Sequence, residues 1–241
     1  GQTKGLLPDD WDSNKTNIGI FNSSEDEFAA IGGEFEKNNL FVSQLDGIKF
    51  LLENTKDPNI HFYLRIHPNL MNIKYKYHTD LYNFPKQYKN ITVIPGSSPV
   101  SSYSLLNACD RVITFGSTMG VEAAYAGKTA MVMRPCFYYY LHVAFVPKTK
   151  GDVLDFVNGK IEFTPDKEDA LKYSYYYYNT ERKGVDNPEC DIKVNEINAL
   201  GRTFLHESMN LRCSESRMSY CAYLQYFGIF LAKRHIPTAE K

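Results

Sequence analysis

Between residues 17 and 133 the chain alternates short apolar runs with segments of helical character, and no other feature limits its fold so tightly. The runs "NIGIF" (17–21), "IHFYLRI" (60–66), "ITVI" (91–94), "RVITF" (111–115) and "TAMVM" (129–133) read as strands. "FVSQLDGIKFLLEN" (41–54) sets Phe41, Leu45, Ile48, Leu51 and Leu52 at helical spacing. "SSYSLLNA" (101–108) reads as a helix with Ser101 or Ser102 as N-cap, and "TMGVEAAYAG" (118–127) as one ending in a Gly127 cap. Strands alternating with helices through short links argue for a parallel sheet covered on both faces. Right-handed crossovers then give an α/β, Rossmann-like layered domain.

After Pro135 the alternation loosens. "FYYYLHVAFVP" (137–147) is aromatic-rich, and "DKEDALKYSYYYYNTER" (166–182), "VNEINALGRTFLHESMN" (194–210) and "MSYCAYLQYFGIFLAKRH" (218–235) read as further helices packing back on the sheet. The expected organisation is one domain over 17–241, with a helical, Tyr-rich part from about 136. Residues 1–16, polar with Gly and Pro, read as a tag remnant or an interdomain linker cut from a longer protein.

Composition closes several function classes. A net charge of -1 gives no reason to expect nucleic acid or an acidic membrane surface as partner. No stretch approaches the roughly 18 to 20 apolar residues needed to span a bilayer, and no signal-peptide pattern opens the chain. The 5 cysteines include no CxxC pair, so neither a disulfide framework nor a zinc site is expected, and a reducing cytoplasm is the simplest location. No His/Asp spacing supports any other metal.

In open parallel sheets, ligands bind beyond the carboxyl ends of the strands. Four polar loops fall there: Asn22-Ser23-Ser24-Glu25, Arg65-Ile66-His67-Pro68, Pro95-Gly96-Ser97-Ser98 and Gly116-Ser117-Thr118. Gly116 permits close backbone approach, Ser117 and Thr118 offer hydroxyls, and the helix starting there favours an anion at its N-terminus. Such a terminus contributes only about 0.3 to 1 kcal/mol when exposed, so His67 and Arg65 are expected as extra donors. The competing reading makes Ser117 or Thr118 a simple helix cap.

Glu122 follows Thr118 by about one turn and shares its face, where a carboxylate can accept from a ribose diol. Its small apolar neighbours suggest a buried helix, and a buried glutamate needs a partner, either a ligand or an arginine. His67, held extended by Pro68, sits at a strand end where it can neutralise phosphate or assist a leaving group. The other histidines, at 61, 78, 142, 206 and 235, have no such setting and read as structural. Ser23 and Ser24 add hydroxyls, while Glu25 and Asp26 are weaker candidates for sugar or acceptor contact or for a general base. Tyr138 and Tyr139 are weak candidates for stacking on a sugar, although tyrosines packed with a wet hydroxyl are the commoner case.

Together these residues resemble the nucleotide-binding half of a GT-B glycosyltransferase, nearest to the bacterial capsule and surface polysaccharide biosynthesis group. "IGIFNSSEDEFAAI" is similar to the opening strand and loop of that half, and "YLRIHPN" to its Arg-x-His-Pro signature. "SYSLLNACDRVITFGSTMGVEAAYAGKTAMVM" is similar to the block running from a Tyr-x-Leu-Leu helix through a Ser-Thr-x-Gly-x-Glu-Ala loop to the final strand. The likeness covers about residues 17 to 135, and its last segment is fairly specific.

The resemblance implies that His67, Ser117 and Thr118 hold the nucleotide phosphates, with Glu122 near the ribose. It also implies a nucleotide-sugar donor, CMP-linked as first choice, no cofactor and no essential metal. Such enzymes have two halves, with the acceptor side and the usual base in the N-terminal one. The chain is therefore expected to be the C-terminal half, working on a glycan or lipid-linked acceptor and peripheral at the inner membrane only through acceptor or partners. Three rival readings stay open. Polyol-phosphate transfer of the teichoic-acid polymerase type shares the scaffold, but usually shows Asp-Tyr-Ser-Ser where this chain has "TFGST". A nucleotide-sugar 2-epimerase needs more acid/base residues than can be assembled here. The last is a non-catalytic nucleotide- or glycan-binding module.

Overall fold

A computed structural model describes residues 2–24 and 39–174. The chain divides into two compact units, Gly1–Leu171 and Lys172–Lys241, and the account below concerns the first. The expected helices over 194–210 and 218–235 and the tyrosines at 175–178 lie outside the described residues; the helix expected at 166–182 begins at 167 and is described to 174.

Five strands form one sheet: β1 (Thr16–Phe21), β2 (Ile60–Arg65), β3 (Ile91–Ile94), β4 (Arg111–Thr114) and β5 (Ala130–Val132). Their spatial order is β3-β2-β1-β4-β5, and every pairing is parallel. Helices α1 (Gln44–Asn54), α4 (Ser102–Ala108), α5 (Met119–Tyr125) and α6 (Lys150–Val157) cover it. The short helices α2 (Lys76–Thr79) and α3 (Phe84–Gln87), joined by a 3₁₀ turn over Asp80–Asn83, lie between β2 and β3. Strand order leaves β1 in one direction toward β3 and in the other toward β5. With crossovers of one hand, α1 and α5 must then lie on opposite faces.

The strands read as continuous apolar runs because both faces are covered. Ile18, Ile20, Phe62, Leu64, Ile113 and Met131 form a core with Ile48 and Leu51 of α1 and with Val153, Phe156 and Val157 of α6. On the other side α4 rests against β1, close enough that a Cβ on Gly19 would lie 2.9 Å from the Cys109 sulfur. α1 begins at the Ser43 cap, whose hydroxyl accepts the Asp46 N–H, and α4 at Ser101, whose hydroxyl accepts the Ser104 N–H. Gly127, at φ +72°, closes α5 as expected.

One expectation needs correction, and one region adds a helix that the sequence pattern does not delimit. The opening segment is part of the folded unit: Thr3 bridges to Val100, the Thr3 N–H donates to the Pro99 carbonyl at 2.8 Å, and Trp11 packs on Tyr63 with ring centres 4.8 Å apart. Its polar residues make turns and bonds, with Asp12 accepting from the Asn14 backbone and the Asp12 carbonyl from the Asn17 amide. The loosened region beyond Pro135 also holds a well-capped helix. Thr149 and Asp152 exchange bonds at the start of α6, and three of its apolar residues reach the core. Among the described residues, no helix is long and apolar enough to cross a membrane.

Candidate functional site

The sheet's order reverses between β1 and β4, and this switch point opens a crevice at the strands' carboxyl ends. The loops after β1 and β4 meet there, flanked by the loop after β2. The expected convergence follows from the topology.

A chain of hydrogen bonds ties the loops together. The His67 N–H donates to the side-chain oxygen of buried Asn22, 2.9 Å away, locking the end of β2 to the end of β1. The next residue, Ser23, donates its hydroxyl to the Phe115 carbonyl at 2.6 Å, joining β1's exit to β4's. Gln44, at the start of α1, clamps Ser23 from behind: its amide accepts the Ser23 N–H at 3.1 Å and donates to the Ser23 carbonyl at 2.9 Å. Thus Ser23 supplies geometry, not a phosphate donor, which corrects its expected role. Ser24 is partly exposed beside it, and Glu25 and Asp26 lie outside the described residues.

His67 has φ -59° and ψ 132°, the extended backbone that Pro68 favours. Its Nδ1 accepts the Asn69 N–H at 3.2 Å, so the neutral ring carries its proton on Nε2. The partly exposed side chain is therefore a hydrogen-bond donor at the crevice.

Arg65 differs from expectation. The side chain is 2% exposed; its guanidinium donates to the Pro95 carbonyl, to the Ser98 carbonyl at 3.3 Å and to the Ser102 hydroxyl at 3.2 Å. Burial pulls its pKa down from the ordinary value. The charge pins the 95–98 loop and the start of α4, so Arg65 is a scaffold cation, not an open phosphate ligand.

At the loop after β4, Gly116 has φ +93°, a left-handed conformation that glycine adopts without strain. The Ser117 carbonyl accepts from the Gly120 N–H at 3.1 Å and from the Tyr138 hydroxyl at 2.6 Å. The Ser117 hydroxyl takes the Met119 N–H only at 3.4 Å. Thr118 makes no side-chain cap; its exposed hydroxyl donates to Glu122 Oε1 at 3.1 Å. The cap reading thus fails for Thr118 and is weak for Ser117. The backbone N–H groups of Gly116, Ser117 and Thr118 meet no acceptor among the described residues.

Glu122 is half-buried, and its Oε2 is buried with no partner within bonding distance among the described residues. Tyr103, on α4, approaches the same carboxylate: hydrogen bonding and then negative charge from Glu122 hold its phenol above the usual pKa. Glu122 therefore keeps an unpartnered oxygen beside an exposed tyrosine, and among the described residues no arginine pairs with it. Sequence reasoning missed Tyr103, Asn22 and Gln44 as site residues. The Tyr-x-Leu-Leu pattern carried a signal for Tyr103, and the quoted loop contained Asn22. Nothing marked Gln44.

Tyr138, expected as a weak stacking candidate, is 1% exposed. Its hydroxyl is shared between Ser117 and the Thr114 hydroxyl, 2.8 Å away, and a Cβ on Gly120 would lie 2.5 Å from it. It supports the 116–118 loop from below, which corrects its expected place in the crevice. Tyr139 is half-buried, edge-on to Tyr140 with ring centres 5.3 Å apart. Among the described residues, no group of three or more His, Cys, Asp or Glu is placed to hold a metal.

The fold and crevice define the class: an α/β Rossmann-like domain with a polar, donor-rich switch point. No protein-family model and no curated protein matches the sequence. Among solved structures the chain is similar to KpsC of Thermosulfurimonas dismutans, a beta Kdo 2,4 transferase, at 16% identity and TM-score 0.45, over 68% of this chain and 46% of that one. It is also similar to a UDP-GlcNAc 2-epimerase from Neisseria meningitidis (15% identity, TM-score 0.35, 70% and 38% covered). A third is the wall teichoic acid polymerase TagF (13% identity, TM-score 0.37, 93% and 45% covered). The chain spans less than half the length of each. At these scores the strand order and register above, not the likenesses, define the fold.

Proposed function

We propose that this chain is the donor-binding half of a GT-B glycosyltransferase, moving a sugar from a nucleotide-activated donor to a surface polysaccharide or lipid-linked glycan. The supporting observation is the bonded relay His67–Asn22–Ser23–Phe115, which sets an imidazole donor and the open N–H groups of residues 116–118 around one crevice.

In this reading the donor's phosphates lie over Gly116, where no side chain intervenes, and accept from the Ser117 and Thr118 N–H groups and the Ser117 hydroxyl, and from the Thr118 hydroxyl once it turns from Glu122. Glu122 accepts from the ribose hydroxyls once its side chain turns its unpartnered, buried oxygen outward. As the bond between the sugar's anomeric carbon and the leaving phosphate oxygen breaks, negative charge grows on that oxygen. The His67 Nε2–H donates to it, and a fixed donor aimed at developing charge favours the transition state. The acceptor hydroxyl and its base belong to an N-terminal half.

The test is thermal stabilisation by CMP, CDP, UDP, GDP and dTDP at millimolar concentration. Ligand at about 100 times its dissociation constant adds roughly 2.7 kcal/mol of stability. One nucleotide, CMP first, is expected to raise the melting temperature, and His67→Ala or Ser117→Ala with Thr118→Ala to abolish the rise in a folded protein. Equal stabilisation of all these variants refutes the site.

A further inference from the structure

The segment from 71 to 89 is the most basic surface described: Lys74, Lys76, Lys86 and Lys89 against the single acid Asp80, in a chain whose net charge is -1. All four lysines are exposed. Lys76 is paired with Asp80 at 2.7 Å, and Lys86 donates to the Asn83 side chain at 3.0 Å. The nearby acid Glu53, which accepts from Tyr88, already pairs with Lys49 at 3.7 Å.

Large side chains stand among these charges. Met71 is 57% exposed, Tyr75 59% and Tyr82 37%. The helical run explains why. His78, Leu81 and Phe84 are buried, so Tyr75, Thr79, Tyr82 and Lys86, spaced four, three and four apart, form the outward face. Tyr75 and Tyr77 stack, with ring centres 5.7 Å apart.

We propose that this Lys/Tyr/Met face docks the protein onto an anionic lipid surface. Lysines draw a protein to anionic headgroups, and tyrosine rings with a wet hydroxyl suit the headgroup layer. A methionine more than half exposed adds apolar area that a soluble anion does not need. Rings exposed to this degree protrude, which fits a flat layer better than a sugar chain held in a groove. The face adjoins the crevice: Met71 packs beside Gly96, in the loop after β3. Docking there sets the ends of β2 and β3 near the lipid. This inference is independent of the donor assignment.

The experiment is vesicle flotation of the full chain at low and moderate salt. The vesicles are phosphatidylcholine alone, or phosphatidylcholine with about one third phosphatidylglycerol. Binding is expected to the anionic vesicles only and to weaken with salt. Each lysine near such a surface is worth about fivefold in partitioning, so Lys74→Gln, Lys86→Gln and Lys89→Gln together are expected to cost about a hundredfold. These three are exposed and outside any ion pair shown, so the variant is expected to keep its melting temperature. Tyr75→Ser with Tyr82→Ser is expected to weaken the binding that survives moderate salt. Equal binding to neutral vesicles, no binding to either, or undiminished binding by the lysine variant overturns the proposal. So does soluble alginate binding in place of vesicles, which makes the occupant an acidic glycan.

Discussion

Tyr138→Phe tests the architecture of the phosphate loop, because it removes one oxygen and leaves the ring in place. That hydroxyl has one proton, and it goes to the Ser117 carbonyl at 2.6 Å, so the Thr114 hydroxyl, 2.8 Å away, donates to the phenol. Without the oxygen the Ser117 carbonyl keeps the Gly120 N–H at 3.1 Å. Thr114, fully buried, loses the acceptor for its proton. Leaving one buried polar group unsatisfied costs about 1 to 3 kcal/mol, and one of the two partners here stays satisfied, so about 2 kcal/mol is expected. Urea denaturation followed by circular dichroism reads this as a lower midpoint at unchanged slope. Thr114→Val removes the stranded donor at nearly equal volume, so the double variant is expected to cost about 1 kcal/mol less than the sum of the singles. Nucleotide affinity is expected to fall several-fold in Tyr138→Phe through the loosened loop. An unchanged urea midpoint, or strict additivity with Thr114→Val, refutes the reasoning.

Arg65→Met is expected to cost about 3 kcal/mol in the same urea assay, because it strips three bonds from a buried site and leaves the Ser98 carbonyl unpaired, while the Pro95 carbonyl keeps the Ser98 N–H at 3.0 Å. A loss of nucleotide affinity with no loss of stability contradicts the scaffold assignment. His61 predicts a pH dependence. Burial first lowers its pKa below the ordinary 6.5, outweighing the opposing field of Asp10. The unfolded chain then binds the proton more readily. Stability is therefore flat above about pH 6.5 and falls as the pH drops from there toward the lowered folded value. Denaturation midpoints at pH 7.5, 6.5 and 5.5 are expected to show this decline, and His61→Gln to flatten it.

The five strands were legible because a sheet covered on both faces needs uninterrupted apolar runs, and the helix caps at Ser101 and Gly127 were legible because their chemistry is local. The structure moves strand ends by one residue, since the last apolar residue of a run such as Phe115 or Ile66 packs beyond the ladder. α6 was missed: its three core residues, Val153, Phe156 and Val157, fill too short a stretch to show a period beside the aromatic region before it. The site's residue types were legible but their duties were not. A serine, an arginine and a tyrosine near strand ends all look like ligands. Whether each keeps a free donor depends on which carbonyl lies opposite, and that is fixed by long-range pairing: Ser23 with Phe115, Arg65 with Pro95, Tyr138 with Ser117.

That pairing divides the crevice into a frame and a working surface. The frame is buried and saturated: Asn22, Ser23, Gln44, Arg65 and Tyr138 are all bonded to backbone of another loop. The working surface is what the frame leaves unengaged, namely the His67 Nε2–H and the N–H groups at 116–118, with the Thr118–Glu122 pair beside them, bonded to each other. The frame matters to affinity because loops held by bonds among themselves lose little freedom when a ligand arrives. It also separates two kinds of variant. A change in the frame lowers stability and affinity together, whereas a change on the working surface lowers affinity alone. Arg65→Met and His67→Ala stand on either side of that line, two residues apart on one strand exit, and their contrast tests the division directly.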